Sequence, residues 1–188
     1  MSDKFRNKFR IPSSRLLYWD YSDNGYYFIT ICTKDKEEFF GEIISNKINL
    51  TEIGFIANKY WFKIPNHFPF VKLDEFVVMP NHLHGILIIR NVIPHVETQN
   101  FASLQQEIQI KSQNKFGPQS KNLASIIRGF KIGVKKYATI NKINFFWQSR
   151  YYDHVIRNGK EFYRIKQYIR NNPINWEEDR NKNDASFD

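Results

Sequence analysis

The chain has 188 residues, of which 41% are hydrophobic, and its formal net charge is +9. This length suits one domain with a substantial core, and the lone Cys32 excludes an internal disulfide and a zinc site built from cysteines. No apolar run approaches the ~18 residues of a membrane span, and the first residues lack the apolar stretch of a signal peptide, so we predict a cytoplasmic protein without a membrane partner. The positive balance favours a polyanionic partner.

The first half of the chain predicts an arm, a strand, a hairpin and a helix. Residues 1–15 are polar and basic, as is typical of an unpacked arm. The aromatic and β-branched run 26–33 predicts a central strand, and residues 39–50 predict a short hairpin. Residues 51–62 begin with a capping Thr and carry apolar residues at helical spacing, which predicts a helix that Pro65 ends.

The second half predicts three further strands and two helices. Residues 71–79 and 82–89 are apolar runs that flank a turn at Pro80-Asn81, and residues 145–156 predict a fourth strand with a bend at 148–149. The two helices are predicted at 120–137 and at 160–172, where Pro173 stops the second. Residues 91–119 form a polar insertion, and residues 177–188 form a charged tail.

The order of these elements is β-α-β-β-α-β followed by one more helix. That order predicts an α+β protein of the ferredoxin-like, or split βαβ, arrangement, with an antiparallel sheet and helices on one face. The other face of the sheet is then expected to be free for a ligand. A single domain over residues 16–176 accounts for all of these elements.

Two histidines lie two residues apart within the third predicted strand. Side chains at i and i+2 of a strand point to the same face, so His82 and His84 are expected to project side by side. Neutral imidazole is a frequent metal ligand, so this pair supplies two positions of a divalent site. The alternative is a pair of hydrogen-bonded strand histidines without a ligand. We place these histidines at a polar edge of the sheet, so we expect their truncation to alanine to leave the fold intact.

The last helix holds two candidate pairs for a site beside the histidines. Tyr168 with Asn172, and Tyr163 with Gln167, are each four residues apart and therefore share a helical face. At ~100° per residue the two pairs fall on opposite flanks of the apolar stripe, so both cannot face the histidines. Helical periodicity leaves open which pair does. A tyrosine has a free pKa of ~10 and needs a base or a metal to act as a nucleophile.

Five stretches together form a recognisable pattern: residues 26–33, Met79-Pro80-Asn81-His82-Leu83-His84-Gly85, residues 125–131, Trp147-Gln148 with residues 151–157, and Tyr168-Ile169-x-x-Asn172-Pro173. In this pattern the chain resembles the REP-associated tyrosine transposases. This family is related to the single-tyrosine insertion-sequence transposases with a His-hydrophobic-His motif. The resemblance spans roughly residues 15–176 and excludes the 91–119 insertion and both tails.

The resemblance implies a transposase that cleaves and rejoins single-stranded or hairpin DNA. It implies that His82, His84 and Asn172 bind Mg²⁺ or Mn²⁺ and that the Tyr168 hydroxyl attacks the phosphate, which gives a 5′-phosphotyrosine. The related insertion-sequence enzymes use a Tyr-x-x-x-Gln pair, so Tyr163 with Gln167 remains the rival. Imidazole ligands would also accept Zn²⁺.

The basic helix at 120–137 is predicted to meet DNA phosphates through Arg128, Lys131 and Lys135. His154 is assigned a structural role. Two other functions stay open: a binding module for single-stranded nucleic acid without catalysis, and a metal-dependent phosphodiesterase that uses water. The oligomeric state, monomer or homodimer, is also open.

Overall fold

A computed structural model describes residues 19–90 and 121–179, together with the backbone of two short strands near the N-terminus. The predicted 91–119 insertion, the tail from residue 180 and most of the basic arm lie outside the described residues. The strands are β1 Lys4–Phe5, β2 Lys8–Phe9, β3 Gly25–Cys32, β4 Gly41–Ile44, β5 Lys47–Leu50, β6 Val71–Val78, β7 His82–Ile89 and β8 Tyr152–Ile156. The helices are α1 Glu52–Phe62, α2 Ile64–His67, α3 Leu123–Ile140 and α4 Gly159–Asn171.

A four-stranded antiparallel sheet in the order β6-β7-β3-β8 forms the centre of the molecule. Each of its strands was predicted, and the α+β class is confirmed, whereas the ferredoxin-like arrangement stays a prediction. The predicted fourth strand is shorter than expected, since Trp147 contributes only an isolated bridge to Thr33. The hairpin β4-β5 lies outside this sheet.

The helix predicted at residues 51–62 forms, and its end has a different cause from the predicted one. Thr51 caps α1 by accepting a hydrogen bond from the Gly54 amide. The helix ends at Phe62, and Pro65 lies in the first turn of the short helix α2 rather than ending α1. Proline is tolerated there because the amide it lacks has no helical partner at that position.

Alternation along β7 gives the sheet two different faces. Leu83, Leu87 and Ile89 belong to the main core, which α1 and α3 cover. Ile86 belongs to a second apolar cluster on the opposite face, built with Ile165 and Ile169 of α4 and with side chains from β3 and β8. The expectation of a free second face is therefore wrong, because α4 packs on it.

Helix α4 is also tied to the edge strand β6. The register of β6 shifts between Leu73 and Phe76, and the irregularity places two acidic residues beside the helix. Lys166 Nζ lies 2.7 Å from Asp74 Oδ1, and Arg170 Nε lies 2.7 Å from Glu75 Oε2. These ion pairs, together with the apolar stripe of α4, set the rotation of the helix about its axis.

No helix among the described residues combines the length and the apolar content that crossing a bilayer requires.

The structure leaves no room for a side chain at Gly85 of β7. A Cβ atom at this position would lie 2.3 Å from Cζ2 of the buried Trp61. We expect Gly85→Ala to lower the free energy of unfolding by about 1–3 kcal/mol, because the core must open to accept the methyl group. Urea denaturation measures the change, with Gly159→Ala as the control, since nothing lies within 4 Å of a Cβ there. Equal losses in both variants would contradict this account of the packing.

Candidate active site

The two histidines lie at the start of β7 and share one face of the sheet. Both side chains are fully buried, and their Nε2 atoms are 3.0 Å apart. Their strand lies inside the sheet between β6 and β3, where His84 pairs with Thr30 and His82 with Cys32. The expectation that these histidines lie at a polar edge is therefore wrong, and with it the reason given for an intact fold after truncation.

Each imidazole is held at its Nδ1 atom by a buried neighbour. Asn81 Oδ1 lies 2.8 Å from His82 Nδ1, and Thr30 Oγ1 lies 2.8 Å from His84 Nδ1. An amide oxygen only accepts, so His82 donates from Nδ1 and its neutral ring presents a lone pair at Nε2. A hydroxyl both donates and accepts, so Thr30 is compatible with either tautomer of His84. Both Nε2 atoms are thus directed at one small volume.

Tyr168 of α4 lies beside the histidine pair. Its hydroxyl oxygen is 3.1 Å from His84 Nε2, and its ring packs edge-on against Phe28 at a centroid distance of 6.1 Å. The residue is 38% exposed. A hydroxyl in this position contacts a buried imidazole while the side chain remains accessible to a large substrate.

The rival pair on α4 lies away from the histidines. Tyr163 is 69% exposed, and its ring lies edge-on to that of Phe162 in the same helix. Gln167 is exposed as well. Of the two flanks of α4, the one that carries Tyr168 faces the histidines.

Asn172, the predicted third ligand, is buried next to an acidic residue that the sequence analysis missed. It is 1% exposed, and its Nδ2 donates a hydrogen bond of 2.8 Å to Asp179 Oδ2. Asp179 is 7% exposed, and one ligand atom from each of His82, His84 and Asp179 lies within 4.8 Å of the others. The chain therefore brings a carboxylate to the histidine pair from outside the predicted domain boundary.

A short 3-10 helix, Trp176–Glu178, returns the chain to the histidines after α4. Trp176 is 5% exposed, and its ring centroid is 6.1 Å from that of His82. The Asp179 amide donates to the Trp176 carbonyl, which closes the turn. A large aromatic residue within an otherwise charged stretch was the one sequence signal that this segment packs.

The donor set fits a divalent cation. Two ligand nitrogens at about 2.1 Å from one ion and at a right angle are about 3.0 Å apart, which is the separation of the two Nε2 atoms here. The buried Asn172 Oδ1 has no hydrogen-bond partner among the described residues, so it is a further oxygen donor next to Asp179. Two imidazoles with carboxylate and amide oxygens suit Mn²⁺ or Mg²⁺, and the imidazoles also accept Zn²⁺.

The basic residues predicted to meet DNA lie on the far side of the sheet from the histidines. Helix α3 packs in the main core, so Arg128, Lys131 and Lys135 do not line the candidate site. Lys131 and Lys135 donate to the backbone carbonyls of Gln148 and Phe145, and Arg128 is exposed. Burial lowers the pKa of Lys131 to about 8, so part of its charge is lost in mildly alkaline buffer.

His154 contacts an acidic residue of α4. Its Nε2 lies 2.8 Å from Glu161 Oε1, which agrees with a structural role. The pKa of Glu161 lies below its usual value, chiefly because the Arg157 amide donates a hydrogen bond to its carboxylate and secondly because His154 does.

The Thr30 hydroxyl gives a prediction about ion binding. We expect Thr30→Val to weaken Mn²⁺ affinity by about 10- to 100-fold, because His84 loses the partner that orients its ring. Isothermal titration of the metal measures this change, and Thr30→Ser, which keeps a hydroxyl, is the control. The same affinity in the Val variant as in the wild type would show that Thr30 does not position His84.

An uncharacterised protein of Haemophilus influenzae is 42% identical over 168 residues, which cover 89% of this chain and 90% of that protein. The two proteins belong to one family. No family model matches the chain.

The fold of this chain resembles that of a solved REP-associated tyrosine transposase bound to a REP hairpin. The TM-score is 0.50 at 19% sequence identity, and the match covers 88% of this chain and 74% of that one. The resemblance to REP-associated tyrosine transposases that the sequence motifs indicated is thus confirmed at the level of the fold.

Proposed function

We propose that this protein is a DNA transposase that nicks and rejoins single-stranded or hairpin DNA through a 5′-phosphotyrosine intermediate. The observation that carries the proposal is the Tyr168 hydroxyl, 3.1 Å from His84 Nε2 and next to a buried His82, His84 and Asp179 cluster. A protein that only binds nucleic acid has no need of a tyrosine hydroxyl beside potential metal ligands. The fold shared with a transposase bound to a REP hairpin agrees with this choice.

The cofactor that we propose is Mg²⁺ or Mn²⁺, held by His82, His84 and Asp179 with Asn172 as the fourth donor. When bound, such an ion neutralises charge on the oxygens of the scissile phosphate. The family resemblance implies Asn172 as the third metal ligand. The geometry favours adding Asp179, whose carboxylate Asn172 holds through its Nδ2.

Tyr168 acts as the nucleophile in this proposal. Its hydroxyl oxygen bonds to phosphorus, the bond from phosphorus to the 3′-oxygen breaks, and that oxygen gains a proton in place of the one that the phenol loses. The products are a 5′-phosphotyrosine and a free 3′-hydroxyl, and the reverse reaction rejoins the strand. The partial exposure of Tyr168 allows a phosphate to reach its hydroxyl.

The test uses a single-stranded oligonucleotide that contains a hairpin, labelled at either its 5′ or its 3′ end. With Mn²⁺ present, we expect the 3′-labelled DNA to co-migrate with the denatured protein. The released 5′-labelled fragment should carry a 3′-hydroxyl that a polymerase can extend. A pool of hairpins with randomised flanks serves as substrate, so that the assay presumes no particular recognition sequence.

The two alternative functions predict other outcomes of the same experiment. A phosphodiesterase that uses water would release both labelled fragments without an adduct. A binding module would retain intact DNA on a native gel and cut nothing. Either outcome would refute the transposase proposal.

A further inference from the structure

A groove opens at the end of the central sheet that is remote from the histidines. It has a volume of about 610 Å³, and β3, β7 and β8 all reach it. Ile88 and Ile156 contribute to its floor, Trp19 and Tyr26 contribute aromatic rings, and Arg90 and Arg157 contribute positive charge. This groove belongs neither to the candidate active site nor to the basic face of α3.

The aromatic rings and the arginines are arranged for contact with a ligand. Trp19 and Tyr26 are each 36% exposed. Their polar atoms are already engaged within the protein: Trp19 Nε1 donates to the Tyr27 hydroxyl, and the Tyr26 hydroxyl accepts from Arg90. Phe162 packs edge-on against Tyr26 at 5.4 Å, which holds that ring in place. Trp19 can still offer a ligand its ring surface, and Tyr26 can offer its ring surface and the proton of its hydroxyl.

The guanidinium groups of the two arginines are accessible to a ligand. Both are exposed, and neither forms an ion pair with a carboxylate in the part of the chain that the structure describes. Guanidinium groups bind phosphates and stack on bases, and aromatic rings accept any base by stacking. Together with a net charge of +9, this combination of groups matches a nucleotide strand rather than a neutral or cationic peptide.

We propose that this groove binds single-stranded DNA that flanks the cleavage position. The proposal rests on the proposed function, because it takes the strand at the histidines to be the same one. Ile88 lies four residues from His84 along β7, which is about 13 Å at 3.3 Å per residue. Because α4 covers this face between the two places, the strand must pass around the helix. At a rise of about 3.4 Å per stacked nucleotide, the groove therefore contacts DNA at least about four nucleotides from the phosphate at Tyr168.

The experiment compares Arg90→Gln/Arg157→Gln with the charge-matched control Lys47→Gln/Lys59→Gln, whose residues are exposed and lie outside the groove. Binding of a fluorescent single-stranded oligonucleotide is titrated between 50 and 200 mM salt in EDTA, where no cleavage interferes. Removal of two phosphate contacts should reduce the log–log salt slope by about 1.4, at roughly 0.7 per contact. We also expect Tyr26→Leu to weaken binding about tenfold with an unchanged slope, because a stacking contact carries no charge.

A crosslink provides a measurement that does not depend on the variants folding. Wild-type protein is irradiated with an oligonucleotide that carries iodouracil, and the linked peptides are mapped. A crosslink to peptides around Trp19, Tyr26 or Arg157 supports the groove. Crosslinks confined to α3, or identical slopes in the arginine and lysine variants, would overturn it. Because these assays need no cleavage, failure of the transposase proposal would appear separately, as binding in the groove without a covalent adduct.

Discussion

Tyr168→Phe is expected to abolish the covalent protein–DNA adduct, with a fall in adduct formation of at least about 1,000-fold. The change removes only the hydroxyl oxygen that lies 3.1 Å from His84 Nε2 and keeps the ring that packs on Phe28. Loss of a nucleophile removes the covalent pathway itself, so an effect of this order is expected even when binding is intact. Denaturing gels with labelled DNA measure the adduct, and filter binding checks that affinity is retained.

Tyr163→Phe is the matched control for this experiment. It makes the same chemical change on the same helix, at a residue that is 69% exposed and turned away from the histidines. We expect the wild-type rate in this variant. A normal adduct in Tyr168→Phe, together with its loss in Tyr163→Phe, would transfer the nucleophile to the rival pair.

Metal removal is the second change for which we expect a large effect. EDTA should abolish adduct formation and Mn²⁺ should restore it. Because the proposed ligands are assembled only in the folded protein, the ion should also stabilise the fold, by about 2.7 kcal/mol at 100 times its dissociation constant. For a domain of this size that corresponds to a rise in melting temperature of roughly 5–11 °C.

The ligand assignment is tested by the same melting experiment. His84→Gln and Asp179→Asn should each lose most of the increase caused by Mn²⁺, measured against the ion-free melting temperature of the same variant. Comparison within each variant matters, because His84 and Asp179 are buried and their replacement also destabilises the ion-free fold. Glu178→Gln, which alters an exposed acid next to Asp179, should keep the full increase. Full activity in EDTA would refute the metal proposal.

The strands and the pairing of the histidines follow from local sequence patterns. Alternation with period two along β7 puts His82 and His84 on one face whatever the rest of the chain does. Their depth could not be inferred in this way. It depends on β7 lying between two other strands and on α4 covering the face that the histidines share.

The composition of the candidate site was only partly predictable, because two of its features depend on long-range packing. The flank of α4 that faces the sheet is set by Ile165 and Ile169 with the ion pairs to β6, and helical periodicity leaves that choice open. Asp179 reaches the site through a turn after α4, in a segment whose charge resembles a tail. Trp176 is buried beside it, and one isolated aromatic residue makes no periodic pattern in the sequence.

The DNA contacts predicted on α3 stay a prediction, and the sequence could not place them relative to the histidines. A row of cations on one helical face indicates affinity for phosphate, and it does not show on which side of the sheet the helix packs. Lys131 and Lys135 are engaged with the carbonyls of the segment at residues 145–149. Arg90 and Arg157 are isolated cations in the sequence, and the ends of β7 and β8 bring them together.

The most direct test of the proposed chemistry is identification of the residue that carries DNA. The wild-type adduct formed with Mn²⁺ is digested with nuclease and trypsin, and the modified peptide is sequenced by mass spectrometry. We predict a nucleotide 5′-phosphate on Tyr168, with an unmodified peptide around Tyr163. A phosphate on Tyr163 or on any other residue, or cleaved DNA without a modified peptide, would contradict the account.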